Sequence, residues 1–316
     1  MTMKKYSRSV ATNMVIANMI GTGIFTSIGF QVMNAPDGIP DAFSIMIIWF
    51  IGGIFALCGA TAYAEVATTF PQSGGEYTFL SKIYHPIVGF ASGWVSIVVG
   101  FSAAIAALAI ASGDYLLPIM KQIFGTGIPI YTPKIVGALL ILIVSIIQYF
   151  GIVAGGIFQN IITTIKLLFI AFLLAAPFFF LAEVDKTHIS FAPSNISWDT
   201  IFSLSFAGSL VYVMFAYSGW NSAAYITGNL DNPKKNLPFS LLIGTAVVTL
   251  IYLLLTAMFL YTCTFDEMRG NIAIGNIVIS KIFSPEIALF FAGLFAVALI
   301  SGINAMFIAG PRVSQK

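Results

Sequence analysis

Charge is the scarcest property of this chain. Only 8% of its 316 residues are Asp, Glu, Lys or Arg, against about 25% in an ordinary soluble domain. That scarcity excludes a soluble fold, and the 59% hydrophobic content points the same way. A net charge of +2 gives no reason to expect nucleic acid. Cysteine is nearly absent: Cys58 and Cys263 stand alone in apolar surroundings, which makes neither a disulfide framework nor a metal motif. His85 and His188 sit singly in loops and read as solvated turn residues. There is no P-loop, no pair of catalytic carboxylates in one segment and no zinc-ligand spacing, and Ser73-Gly74-Gly75 lacks the nucleophile-elbow pattern. These absences argue against an enzyme, and no cofactor or metal is expected.

Long apolar runs fill the space that charge leaves. A membrane span needs about 20 mostly apolar residues. Eight runs qualify: Val10–Met33, Phe43–Phe70, Pro86–Leu117, Ile135–Phe150, Ile157–Leu181, Ile201–Ile226, Phe239–Thr262 and Ile287–Ala309. The third is long enough to tilt, and the fourth is short, with Gln148 marking the interface. The fold class is therefore an all-α polytopic membrane protein embedded in a lipid bilayer. Lys4, Lys5 and Arg8 precede the first run, as in a signal peptide. That run is too long for one, however, carries Asn13 and Asn18 and has no small-residue cleavage pattern, so it is expected to be retained.

Orientation follows the lysine and arginine bias. One set of loops and ends holds Lys4, Lys5, Arg8, Lys82, Lys234, Lys235, Arg312 and Lys316. The other holds Lys121, Lys134, Lys186, Arg269 and Lys281, with most of the acids: Asp37, Asp41, Glu183, Asp185, Asp199, Asp266, Glu267 and Glu286. The bias puts the N-terminus in the cytoplasm and, with an even number of spans, the C-terminus as well.

The first span is interrupted at Gly21-Thr22-Gly23-Ile24-Phe25. Glycine costs about 1 kcal/mol against alanine inside a helix. At membrane depth any backbone it frees must find partners in protein or in a wet cavity. An unwound helix centre exposes N–H and C=O groups, and the N-terminus of the following half-helix carries partial positive charge. Such a break suits a small anion or zwitterion. Glycines also mark close helix packing, so this signal is weak when read alone.

Further along, Lys166 lies ten residues into the fifth run, where an ammonium is expensive and by default a functional candidate. No acid in that run stands at helical spacing from it. The sixth run is interrupted at Phe215-Ala216-Tyr217-Ser218-Gly219-Trp220-Asn221, then meets Asp231-Asn232-Pro233-Lys234-Lys235. Matched interruptions in two spans are the best sequence pointer to a binding site in an inverted-repeat transporter. Glu65, near the end of the second run, reads either as an interface carboxylate held by neighbouring helices or as a gate. Tyr77 to Tyr84 reads as a short interfacial helix, and Asp266 to Ser284 as an external loop.

The combination of Gly21-Thr22-Gly23-Ile24-Phe25, Tyr63-Ala64-Glu65 and Phe70-Pro71-Gln72-Ser73-Gly74-Gly75-Glu76-Tyr77 resembles the amino acid–polyamine–organocation (APC) family of permeases. Gly93-Trp94 in span three, the sixth run with its following loop, and Ser301-Gly302-Ile303-Asn304 running on to Arg312 are similar to that family as well. The resemblance implies the five-plus-five inverted-repeat fold of the sodium-coupled leucine transporter, with spans one and six broken. It implies one transmembrane domain over residues 1–316, with a first repeat at about 10–181 and a partial second at about 201–310. The family generally has ten core spans, often with two more, so eight suggest a fragment.

By the same resemblance the protein would carry amino acids by secondary active transport across the cytoplasmic membrane, coupled to protons or by exchange. The substrate-binding residues would be Ile20, Gly21, Thr22 and Gly23 from span one, with Phe215, Ala216, Tyr217, Ser218 and Gly219 from span six. The substrate carboxylate would meet the Thr22 and Gly23 amides, its ammonium would meet span-six carbonyls, and Phe215 would close over it. Lys166 resembles a lysine that stands where sodium-coupled relatives hold their ion; it would brace span one and couple transport to protons. Ser301 would face Lys166, or else bond back into its own helix. Many members have a glutamate shortly before the Asn-Pro, where this chain has Gly228-Asn229. The only cavity acids in prospect are Glu65 and Asp114, which favours neutral substrates. Two alternatives are a polyamine or cationic amino acid exchanger and a non-transporting sensor or subunit.

Overall fold

The computed structural model describes residues 5–33, 38–125, 127, 129–180, 190–271 and 274–315. Lys4, Asp37, Leu181, Glu183, Asp185, Lys186, His188 and Lys316, weighed above, lie outside the described residues. Among the described residues every regular element is a helix. Seven helices are long and apolar enough to cross a bilayer, and the count reaches 8 if the pair Asn195–Ile201 and Leu204–Ala216, bent by 67°, is one span. The protein is an all-α polytopic membrane protein of the transporter type.

Span one is two helices, α1 (Arg8–Met19) and α2 (Gly23–Gln31), separated at Ile20-Gly21-Thr22. At 1.5 Å per residue the 12 and 9 residues supply about 18 and 14 Å, so only together do they reach the roughly 30 Å of a hydrocarbon core. Span two is α3 (Ala42–Thr69). The Pro71 to Gly75 stretch then turns sharply, with Gly74 and Gly75 at positive φ, into the short α4 (Glu76–Ile83). It falls where a short helix was expected, at Tyr77 to Tyr84.

Span three is α5 (Pro86–Phe124), a crossing of 39 residues with a π-helical stretch at Ser96–Ala103. Span four is α6 (Thr132–Tyr149) and span five is α7 (Ile152–Phe180), which begins five residues earlier than the hydropathy of the sequence marks it. Span seven is α10 (Pro233–Thr262) and span eight α13 (Pro285–Ala309).

Span six, expected over Ile201–Ile226 with an interruption at Phe215–Asn221, is built from three helical pieces. A short α8 (Asn195–Ile201) bends into α9 (Leu204–Ala216), which stops at Ala216. After a turn, a 3-10 helix takes over at Ser222–Asn229. Thirteen α residues give about 20 Å, and eight 3-10 residues at 2.0 Å add about 16 Å.

Between spans seven and eight the chain forms two short helices, α11 (Phe265–Met268) and α12 (Ile274–Ile282). Thr264 and Glu267 form a capping box on α11.

Spans one and seven lie at the centre of the bundle. Met14, Val15, Ile24, Ile28, Tyr252 and Phe259 are all inaccessible to solvent. Spans three and four carry the least buried of the crossing windows. One face of the bundle gathers the N-terminal segment, the loop before α4 and the end of span six. There the Tyr6 amide donates to the Asn229 carbonyl and the Asp231 amide to Tyr6. On the other face Asp41 Oδ1 accepts from Ser197 Oγ at 2.8 Å, and the Gly270 amide donates to Gly29 at 2.9 Å.

Candidate binding site between two broken helices

The two breaks meet at Gly23 and Ala216. A Cβ placed on Gly23 would lie 2.9 Å from both Cα and Cβ of Ala216. That is closer than real Cβ atoms come, so the contact requires glycine. Gly21 has no such neighbour, since its added Cβ would meet Leu108 at an ordinary 3.7 Å. Gly219 serves differently: its φ of 97° belongs to the region only glycine adopts freely. This turn brings the Gly219 carbonyl within 3.3 Å of Asn18 Nδ2, which donates to it.

Each break frees carbonyls, and the bundle answers with donors from other spans. Lys166 is 1% exposed, and its Nζ donates to the carbonyls of Ala17 at 3.2 Å and Ile20 at 2.6 Å. Among the described residues no salt bridge involves Lys166. The ammonium is instead held by the C-terminal carbonyls of α1, where the helix dipole is negative. From span seven the Tyr252 hydroxyl lies 2.5 Å from the Met19 carbonyl and 2.9 Å from the Ala216 carbonyl, one donor set between the two breaks. The Phe215 carbonyl is met within its own turn by the Ser218 amide at 3.0 Å and the Ser218 hydroxyl at 2.7 Å. At the start of α2 the Gly23 and Ile24 amides lack intrahelical acceptors by helix geometry.

Between the two breaks lies a cavity of about 450 Å³, within the 300–1,000 Å³ usual for small-molecule sites. Gly21, Thr22, Gly23, Phe215, Ala216, Ser218 and Gly219 line it, together with Asn18, Phe101, Asn221, Tyr225 and Met306. Among the described residues no acid lines it, and Glu65 and Asp114 are both exposed elsewhere. Phe215 is 70% exposed at the cavity margin and does not cover it.

Four of the sequence-derived site residues, Ile20, Lys166, Tyr217 and Ser301, lie apart from this cavity. Ile20 lines a separate void of about 10 Å³ with Lys166. Tyr217 points into the core, where its hydroxyl donates to the Trp49 carbonyl at 3.0 Å and its ring meets Trp49 and Tyr252. Ser301 Oγ donates to the Ala298 carbonyl at 2.7 Å within its own helix.

Beyond the break, on the side away from the N-terminus, aromatic rings fill the bundle. Phe295 packs edge-on against Phe25 at 5.1 Å and Phe169 at 4.8 Å, and stacks with Tyr115 at 5.1 Å. The cavity lies on the N-terminal side of this cluster, towards Asn18, Tyr225 and Met306.

Sequence reasoning missed Tyr252 and Asn18 as donors to the breaks. It also missed a buried amide chain in which Gln148 Nε2 donates to Asn304 Oδ1 at 2.6 Å, Asn304 Nδ2 to Gln159 Oε1 at 2.7 Å and Gln159 Nε2 to Thr163 at 2.9 Å. Isolated polar residues in oily runs were the available signal, but nothing in one span names its partner in another.

Comparison with known proteins agrees with this geometry. Residues 7–316 match the family described as amino acid permease. The chain is 30% identical over 308 residues to the serine/threonine exchanger of Bacillus subtilis (strain 168), covering 96% of the chain and 66% of that protein. It is 30% identical over 264 residues to the b(0,+)-type amino acid transporter 1 of Homo sapiens, covering 83% and 52% respectively. It is 28% identical over 257 residues to the cystine/glutamate transporter of Homo sapiens, covering 81% and 49%. The chain thus spans about half to two thirds of the length of these relatives. All three are transporters or exchangers and none is an enzyme. A match over nearly the whole chain, on top of two broken helices facing one cavity, places it: the chain belongs to the amino acid permease family.

Proposed function

We propose that this chain carries the substrate site of a secondary amino acid transporter built on the five-plus-five inverted repeat. The observation that carries the reading is the shared cavity of about 450 Å³ between the breaks of spans one and six. The α-carboxylate of an amino acid would sit at the N-terminus of α2, where amides and helix dipole favour an anion. Its ammonium would meet carbonyls released near Phe215, Ala216 and Ser218. Phe215, free to move at the margin, would swing over the bound substrate. The absence of any acidic lining residue supports a neutral substrate over a polyamine or cationic amino acid, because a buried cation requires a paired charge or several acceptors.

Lys166 would link the site to protons. Its ammonium supports α1 through Ala17 and Ile20, so losing the proton would weaken the hold on the same helix end that borders the cavity. Exchange is the second mode in view, supported by the serine/threonine exchanger among the relatives. The basic N-terminal segment and the Lys234-Lys235 loop support an N-terminus in the cytoplasm of a cell membrane.

The test is uptake and exchange of labelled neutral amino acids by the full chain in proteoliposomes, with and without a pH gradient. Uptake competed by serine or threonine but not by arginine or putrescine is expected. No uptake or exchange of any amino acid would overturn the reading in favour of a sensor or subunit.

A further inference from the structure

Glu76 reaches the cavity wall from outside it, through Asn221 and Tyr225. It opens α4, yet it does not cap its own helix: the residue before it is Gly75, and the carboxylate turns towards spans two and six. Oε1 accepts from the Tyr63 hydroxyl at 3.0 Å and from Asn221 Nδ2. Oε2 accepts from the Tyr225 hydroxyl. Three donors on two spans therefore converge on one carboxylate, and hydrogen bonds to a charged acceptor are about twice as strong as neutral ones.

Two of those donors belong to the cavity. Asn221 and Tyr225 both line it, and the Tyr225 ring meets Phe101 of the opposite wall edge-on at 5.1 Å. Behind Tyr225 the backbone closes in: a Cβ on Gly75 would lie 2.6 Å from its ring, and the Gly74 amide donates to its carbonyl at 3.1 Å. Lower on the same 3-10 helix, the Gly228 amide donates to Ser73 Oγ at 3.1 Å. The loop before α4 thus grips the C-terminal half of span six along its length, with Glu76 at the end nearest the cavity.

The 3-10 segment needs such a grip. Its hydrogen bonds have poorer geometry than those of an α-helix, and it follows a break, so its position is set by what holds it from outside. Without Glu76, the Asn221 amide and two phenol groups would lose their common acceptor.

We infer that Glu76 is a positioning residue for transport: its carboxylate sets where the lower half of span six stands, and thereby how far the cavity opens to the N-terminal face. The inference goes beyond the transport reading, since it concerns the placement of the cavity wall whatever the cavity holds. It also makes α4, a surface helix, the part of the molecule that feels movement of Asn221 and Tyr225, because coupling between two sites is reciprocal.

The experiment reads position directly. Cys58→Ser and Cys263→Ser remove the native thiols, and Ala104→Cys places one in the cavity wall. The full chain is reconstituted, and labelling by a membrane-impermeant maleimide is timed from each face. Glu76→Ala is expected to speed labelling from the N-terminal face by about tenfold, the equilibrium equivalent of one lost hydrogen bond to a charged group. Asn221→Asp, which sets two carboxylates against each other, is expected to do the same. Adding Glu76→Gln to Asn221→Asp reverses the pair: the new amide donates to Asp and Tyr63 while its oxygen still accepts from Tyr225. That double variant should label at the original rate. If Glu76→Ala does not fold, the Asn221→Asp single and double variants still decide. Unchanged labelling in the single variants, or no recovery in the double, would overturn the inference. Because labelling does not depend on uptake, a chain that fails to transport amino acids leaves this result readable.

Discussion

Gly23 and Ala216 touch backbone to backbone, and through them the breaks in two spans nearly two hundred residues apart become one site. Gly23→Ala would force the two half-helices apart. Overpacking of this kind costs about 1–3 kcal/mol, and the displacement falls on the amides that would bind a carboxylate. Substrate affinity should fall at least tenfold, with a modest drop in melting temperature. Adding Ala216→Gly, which removes one of the two clashing atoms, should restore part of both. Binding isotherms and thermal unfolding of the single and double variants check this.

Lys166→Ala leaves the carbonyls of Ala17 and Ile20 buried without their donor. The loss of a hydrogen bond to a charged group is worth about 1.5–3 kcal/mol, so the variant should be less stable. If Lys166 couples transport to protons, initial uptake rates that vary with pH in the unmodified chain should become flat in the variant. A preserved pH profile would remove Lys166 from the coupling role while leaving its structural one.

Tyr252→Phe deletes a single oxygen that faces both breaks. The ring packing against Trp49 and Tyr217 would survive. The expected cost is about 1–3 kcal/mol for buried carbonyls left short of a donor. Because those carbonyls border the cavity, substrate KM should rise more than expression falls. Uptake kinetics at matched protein levels would show it.

Outside the spans, Glu267 offers a pH test. Partial burial opposes its charge, but hydrogen bonds from Lys281 and Thr264 outweigh that and hold its carboxyl below the usual range. A depressed folded-state value stabilises above the unfolded one, about 4.3, and is lost as pH falls through the folded value. The melting-temperature gap between the unmodified chain and Glu267→Gln should therefore be present near neutral pH and close in acid. The pair is exposed, so the gap is expected to be small.

Much of the fold was legible because a bilayer restricts the choices. Runs of twenty apolar residues can only be helices, and the two glycine-bearing interruptions marked both breaks to within a few residues. What escaped was tertiary. Tyr217 and Phe215 stand two apart on one segment, yet one is buried against Trp49 and the other exposed at the cavity edge. Only the rotation of α9 at its end decides which. Tyr252 was invisible for a similar reason: a tyrosine midway through an oily run signals a partner without naming it. Lys166 was the opposite case, since its cost in the membrane announced a role even though its acceptors are backbone atoms that no side-chain pattern could reveal.

The Tyr252 hydroxyl holds one proton and faces two carbonyls. It can give that proton to Met19 or to Ala216, not fully to both. The Met19 carbonyl also accepts from the Gly21 amide at 2.9 Å, so it keeps a donor when the hydroxyl turns to Ala216. One side chain of a third span is thereby tied to both breaks at once, and a shift of either half-helix changes how that single hydrogen is shared with the other.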